Sequence, residues 1–130
     1  MNQERFYREI MGRTMSSFTI AVKETDLWIA VDEESYSESI KQKSVSCLNI
    51  IRNELEVYIS RNQEFLYSLV PVEAAKNSPA LVLGMASAAR LAGVGPMAAV
   101  AGAISEAIAG YIKTLGAKEV IVENGGDIFI

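Results

Sequence analysis

From Thr14 to Val22, the residues Met15, Ser17, Phe18, Ile20 and Val22 carry the pattern of a strand, and a second short apolar run covers Leu27 to Val31. The polar tetrad Lys23-Glu24-Thr25-Asp26 separates them, which predicts a hairpin over residues 14–31. The period then changes. Tyr36, Ile40, Cys47, Leu48, Ile51, Leu55, Tyr58 and Ile59 recur at spacings near three or four, predicting a long amphipathic helix over 34–60. Residues 62–69 read as a short second helix and 71–79 as a connector, whose Asn77-Ser78-Pro79 can open a helix over 80–92 that ends at Gly93.

Pro96 suits the first turn of a further helix, predicted to run to Leu115 and stop at Gly116. Its apolar stripe is Met97, Val100, Ile104, Ile108, Tyr111, Ile112 and Leu115. A second face consists of small residues, Ala98, Ala99, Gly102, Ala103, Ala109 and Gly110, and permits close backbone approach. Lys118 to Val122 reads as a β-branched strand, Asn124-Gly125-Gly126 as a turn able to take positive φ, and Asp127 to Ile130 as a further strand. The expected fold is α+β, an antiparallel sheet with helices packed on one side of it.

Composition narrows the functions open to such a domain. The 130 residues, half of them apolar, suffice for one domain with a real core. Twelve basic against sixteen acidic residues, with no long run of either sign, lack the footprint of a nucleic-acid binder. The 15 uncharged residues between Arg90 and Glu106 are mainly Ala and Gly, short of the roughly 20 apolar residues a spanning helix needs, so no membrane association is expected. The polar opening residues and the single Cys47 suggest a cytoplasmic protein. With no histidine, Ser-His-Asp and Cys-His catalysis and most zinc sites are excluded. Chemistry then falls to carboxylates, hydroxyls, lysines, backbone amides or a bound cofactor. The apolar Ile128-Phe129-Ile130 at the end of the sequence suggests a domain incomplete at its C-terminus, or a strand that pairs with another subunit of a homo-oligomer.

Two segments carry a family likeness. Val94-Gly-Pro-Met-Ala-Ala-Val-Ala-Gly-Ala-Ile-Ser-Glu106 and Val120-Ile-Val-Glu-Asn-Gly-Gly-Asp127 resemble the uncharacterised ApbE-like family, related to the FAD:protein FMN transferases. Those enzymes use Mg²⁺ to move FMN from FAD onto a threonine of a target protein. The resemblance implies an ApbE-like fold and a flavin nucleotide, FAD or FMN with Mg²⁺, as ligand. It places Met11, Gly12, Gly95, Pro96, Met97, Ala98, Gly102, Asn124, Gly125, Gly126 and Asp127 near that ligand, with Glu106 and Asp127 as candidates for catalysis. Gly102 matches the family glycine, and Glu106 falls where the transferases carry Asp. Gly95, Ala101 and Ala103 stand where they carry Asp, Lys or Glu, and Tyr, and their later segment with the Mg²⁺-holding Asp and Thr or Ser has no counterpart before Ile130.

Each feature also has a plainer explanation. Gly93 to Pro96 could seat a pyrophosphate at a helix start or simply turn the chain between helices. The small face could lie against a flat ring or against a neighbouring element. Glu123 to Asp127 could supply carboxylates and an amide to a nucleotide or hard cation, or only close a hairpin. Arg13 and Thr14 could approach a flavin or lie on the surface, and Cys47 and Trp28 read as core residues. Three functions result: a flavin- or nucleotide-binding protein, a non-enzymatic assembly module that has kept the fold, and hydrolysis of a small nucleotide through Glu106, Asp127 and Mg²⁺.

Overall fold

In the computed structural model, which describes residues 14–130, alternating apolar residues build a four-stranded antiparallel sheet in the order β1-β2-β3-β4. Strand β1 (Met15–Val22) and β2 (Thr25–Asp32) form the expected hairpin, with Phe18 opposite Ile29 and Ile20 opposite Leu27. Strand β3 (Val120–Asn124) returns to pair with β2, Val122 opposite Ile29, and β4 (Asp127–Phe129) completes the edge. Side chains two apart share a face. Leu27, Ile29, Val31, Val120 and Val122 therefore point into the main core beneath the helices, fully or almost fully buried. Met15, Ala30 and Ile121 form a smaller buried cluster on the opposite face, joined by a half-buried Trp28.

Helix α1 (Glu38–Arg61) starts later than its apolar pattern predicts. Glu33–Ser35 forms a 3-10 turn, and the Ser37 hydroxyl accepts from the Ile40 amide, which sets the start at Glu38. Tyr36, expected on the helix stripe, lies outside it and packs its ring against Phe18 at 5.8 Å between centroids. The short α2 (Gln63–Tyr67) is followed by an irregular stretch, then α3 (Ala80–Ala92), whose bounds match expectation because Gly93 takes a left-handed φ of 70°.

The last helix divides. Pro96–Ala99 winds as a 3-10 turn, with the Ala98 amide bonded to the Gly95 carbonyl at 3.1 Å, and α4 (Val100–Thr114) continues from it. Between α3 and this segment the chain bends by 104°. Helix α4 lies on β3 and β4 and against α1 and α3, with Ile104, Ile108 and Ile112 buried on its core side. Among the described residues no single helix is long and apolar enough to cross a membrane.

Candidate functional site

The angle between α3 and α4 holds a cleft of about 300 Å³, closed on its third side by β4. Several residues singled out by sequence meet there: Ala98, Gly102, Glu106 and Asp127. Local structure explains the meeting. Gly125 and Gly126 have φ values of 58° and 98°, the two left-handed positions of a type I′ hairpin turn, so Asn124 pairs with Asp127 across it. The Asn124 side-chain amide donates to the Ala101 carbonyl at 3.3 Å, tying the turn to the first turn of α4. Asp127 is thereby carried to the helix face that bears Gly102 and Glu106.

The floor of the cleft is made of small residues. Gly84 on α3 and Gly102 on α4 are both exposed, and a Cβ added to either would meet nothing within 4 Å. An interior helix glycine costs roughly 0.5–1 kcal/mol relative to alanine, and within the described residues neither glycine recovers that through close packing. Ser105 lies deeper. It is 1% exposed, and its hydroxyl has no hydrogen-bond partner among the described residues. Such a group costs about 1–3 kcal/mol when left unmet. Glu106 and Asp127 are exposed at the mouth, and Phe129 supplies an apolar wall. Among the described residues no lysine or arginine lines the cleft.

Other expected site residues lie elsewhere. Gly95 and Pro96 are buried, and a Cβ on Gly95 would stand 1.9 Å from the Ser68 carbonyl oxygen, so this glycine lets the 68–69 backbone pass. Met97 packs against the main core. Gly125 and Gly126 form the exposed turn. Met11, Gly12 and Arg13 lie outside the described residues, while Thr14 borders a separate cavity with Asp32, Glu34 and Lys118. Ser105 and Gly84 were not singled out from the sequence. An uncapped glycine inside an otherwise regular helix, and a serine facing inward beside the glutamate, were the signals available.

Outside the cleft, polar clusters hold the fold together. Asp32, 4% exposed, accepts from the Lys118 and Glu119 amides at 2.9 and 3.1 Å and from the Ser35 hydroxyl at 2.6 Å. Burial pushes its carboxyl up, but these hydrogen bonds outweigh burial and hold it below its usual value. Arg52 on α1 grips the β1-β2 turn, bonding the Thr25 hydroxyl and Glu24, the latter at 2.8 Å. Lys23, at a φ of 52°, reaches Glu56 at 2.8 Å; that hydrogen bond is the main cause that lowers the Glu56 carboxyl. Burial, aided by the charge of Glu54, pushes the Cys47 thiol up, which disfavours the reactive thiolate. Among the described residues no group of three or more acidic or cysteine side chains is placed to hold a metal.

Comparison with known proteins bears on the whole of this arrangement. A family model described as AbpE bacteria matches residues 8–130. A UPF0280 protein of Methanocaldococcus jannaschii is 46% identical over 109 residues, which cover 84% of this chain and 42% of that protein. A UPF0280 protein of Methanococcus aeolicus is 40% identical over 111 residues, with the same shares covered. One of Methanosarcina acetivorans is 38% identical over 107 residues, 82% of this chain and 41% of that protein. The chain thus spans about 42% of the length of the curated relatives it matches.

Proposed function

Because the chain belongs to the family described as AbpE bacteria, we propose that it is the ligand-binding part of a flavin- or nucleotide-binding protein with an ApbE-like fold, related to the FAD:protein FMN transferases. The observation that carries this reading is the cleft between α3, α4 and β4, which Gly84, Gly102, Glu106 and Asp127 line together. Two helix glycines with open space beside them forgo helix stability and keep the cleft wide enough for a ligand. At about 300 Å³ the cleft is at the small end of ligand sites and would take one portion of a dinucleotide, the remainder lying across its open side.

Glu106 and Asp127 bear on Mg²⁺ only in part. Mg²⁺ is commonly held by one or two carboxylates together with waters and substrate phosphates, so these two side chains would form the protein share of a site that a phosphate-bearing ligand completes. The ion would neutralise phosphate charge there. Calorimetric titration of the chain with FAD, with and without Mg²⁺, tests the reading. Saturable binding that weakens at least tenfold in Gly102→Leu supports it, and absence of binding to FAD, FMN and adenine nucleotides removes it.

A second reading, an assembly module or homo-oligomer subunit, is favoured by exposed apolar side chains. Leu69 is 88% exposed and Leu91 86%, and Ile128 and Ile130 on the β4 side are about half exposed. Sedimentation decides this reading: a concentration-dependent rise in mass that Leu69→Ser and Leu91→Ser abolish supports it, and a monomer at all concentrations excludes self-association.

A further inference from the structure

We infer that residues 71–75 are an unpaired strand, and that the polypeptide making up the rest of the longer UPF0280 relatives adds a strand to it. The segment has neither regular secondary structure nor a bend, yet its burial alternates. Pro71, Glu73 and Ala75 are exposed, while Val72 and Ala74 are half-buried and pack on the main core. Period two belongs to a strand with one face inward. The segment has roughly the usual strand length of five to six residues, and Pro71 stands at its first position, where a missing amide hydrogen is tolerated. What it lacks is a ladder. Among the described residues no hydrogen bond uses the amides of Val72, Glu73, Ala74 or Ala75, or the carbonyls of Pro71 to Ala74.

Room for a partner lies on both flanks. Toward α3, Pro71 to Ala74 wall a groove of about 480 Å³ together with Leu83, Ala86 and Arg90. Toward the end of α1, Glu73 and Ala75 border a second groove of about 580 Å³ with Val57, Tyr58 and Arg61. A strand laid along either flank bonds the bare main-chain groups and sets alternate side chains into the groove, as when an extended peptide joins a sheet edge. The residues just before the segment call for a cover as well: Tyr67 is 73% exposed, Leu69 88% and Val70 63%. Apolar side chains exposed together in this way mark a protein contact rather than a solvated loop. Length points to the occupant. The 109 residues that the Methanocaldococcus jannaschii relative shares with this chain are 42% of it, so more than half of that protein lies outside the match. The inference deepens the assembly reading by giving it a partner other than a second copy, and it does not depend on the α3-α4-β4 cleft.

The test co-expresses the full 130-residue chain with the part of the Methanocaldococcus jannaschii relative outside those 109 residues, and reads hydrogen exchange at Val72 to Ala75. In the chain alone these amides are expected to exchange as in an unstructured peptide, and in the co-purified complex at least about tenfold more slowly. Glu73→Pro and Ala74→Pro delete amides on opposite edges of the segment, and neither breaks an existing hydrogen bond. One of the two is expected to weaken the complex about tenfold while keeping the urea midpoint of the chain, whereas Glu73→Ala, which keeps the amide, changes it less than about threefold. Slow exchange at 72–75 in the chain alone, a complex that leaves these amides fast, or full affinity in both proline variants overturns the inference. Absence of any complex also overturns it; sedimentation of the chain alone then separates the two ideas, self-association keeping the assembly reading and a monomer removing both.

Discussion

At Ser105, the buried hydroxyl is expected to be a cost to stability. Replacing it by alanine removes an unmet buried hydroxyl and improves helix propensity, so Ser105→Ala should gain roughly 1 kcal/mol, read as a higher urea midpoint. A lower midpoint would mean that the hydroxyl has a partner in solution. Gly84→Ala and Gly102→Ala follow the same logic. The added methyl meets nothing, so each should stabilise its helix by about 0.5–1 kcal/mol while narrowing the cleft and weakening the ligand. Asp32 behaves oppositely. Its carboxylate is held below its usual pKa, so its stabilising contribution is complete above the unfolded value near 4 and is lost as pH falls through the folded pKa. Asp32→Asn should cost on the order of 2 kcal/mol at neutral pH and flatten the acid limb of the stability curve; an unaltered limb would rule out this carboxylate as its source.

Among elements, the β1-β2 hairpin depends on α1 for its docking. Arg52, mostly buried, holds Thr25 and Glu24, so Arg52→Ala should cost about 1.5–3 kcal/mol and raise hydrogen exchange in residues 20–28 before the rest of the sheet. Uniform exchange across all four strands would show that the contact is not local. The strands were legible because period-two alternation and the Lys23-Glu24 and Gly125-Gly126 turns agree, and α3 because Gly93 closes it. The start of α1 was misplaced because a repeating apolar pattern extends past the point where the Ser37 cap fixes the backbone. Half of the candidate cleft was visible in the sequence, as Gly102, Glu106 and Asp127. The other half, Gly84 and Ser105, depends on how α3 crosses α4, which an interior helix glycine or a serine beside a glutamate does not specify by itself.

For the whole molecule, the main consequence of the topology is that the central strand pair joins distant parts of the chain. Asp32 binds the amide of Lys118, 86 positions further on, and Ile29 pairs with Val122, whereas β1 meets β2 across two residues. The hairpin can therefore close within microseconds, but β3 must wait until the intervening helices have collapsed, because ordering so long a loop carries a large entropic cost. Val122→Ala should mainly accelerate unfolding, and Ile20→Ala should slow folding as well; equal partition between the two rates in both variants would contradict that order. During the wait, the edge of β2 that β3 later covers is open, with Ile29 and Val31 beside unpaired backbone groups. Refolding yield should consequently fall with protein concentration. A newly made chain is most vulnerable to clumping before β3 has docked.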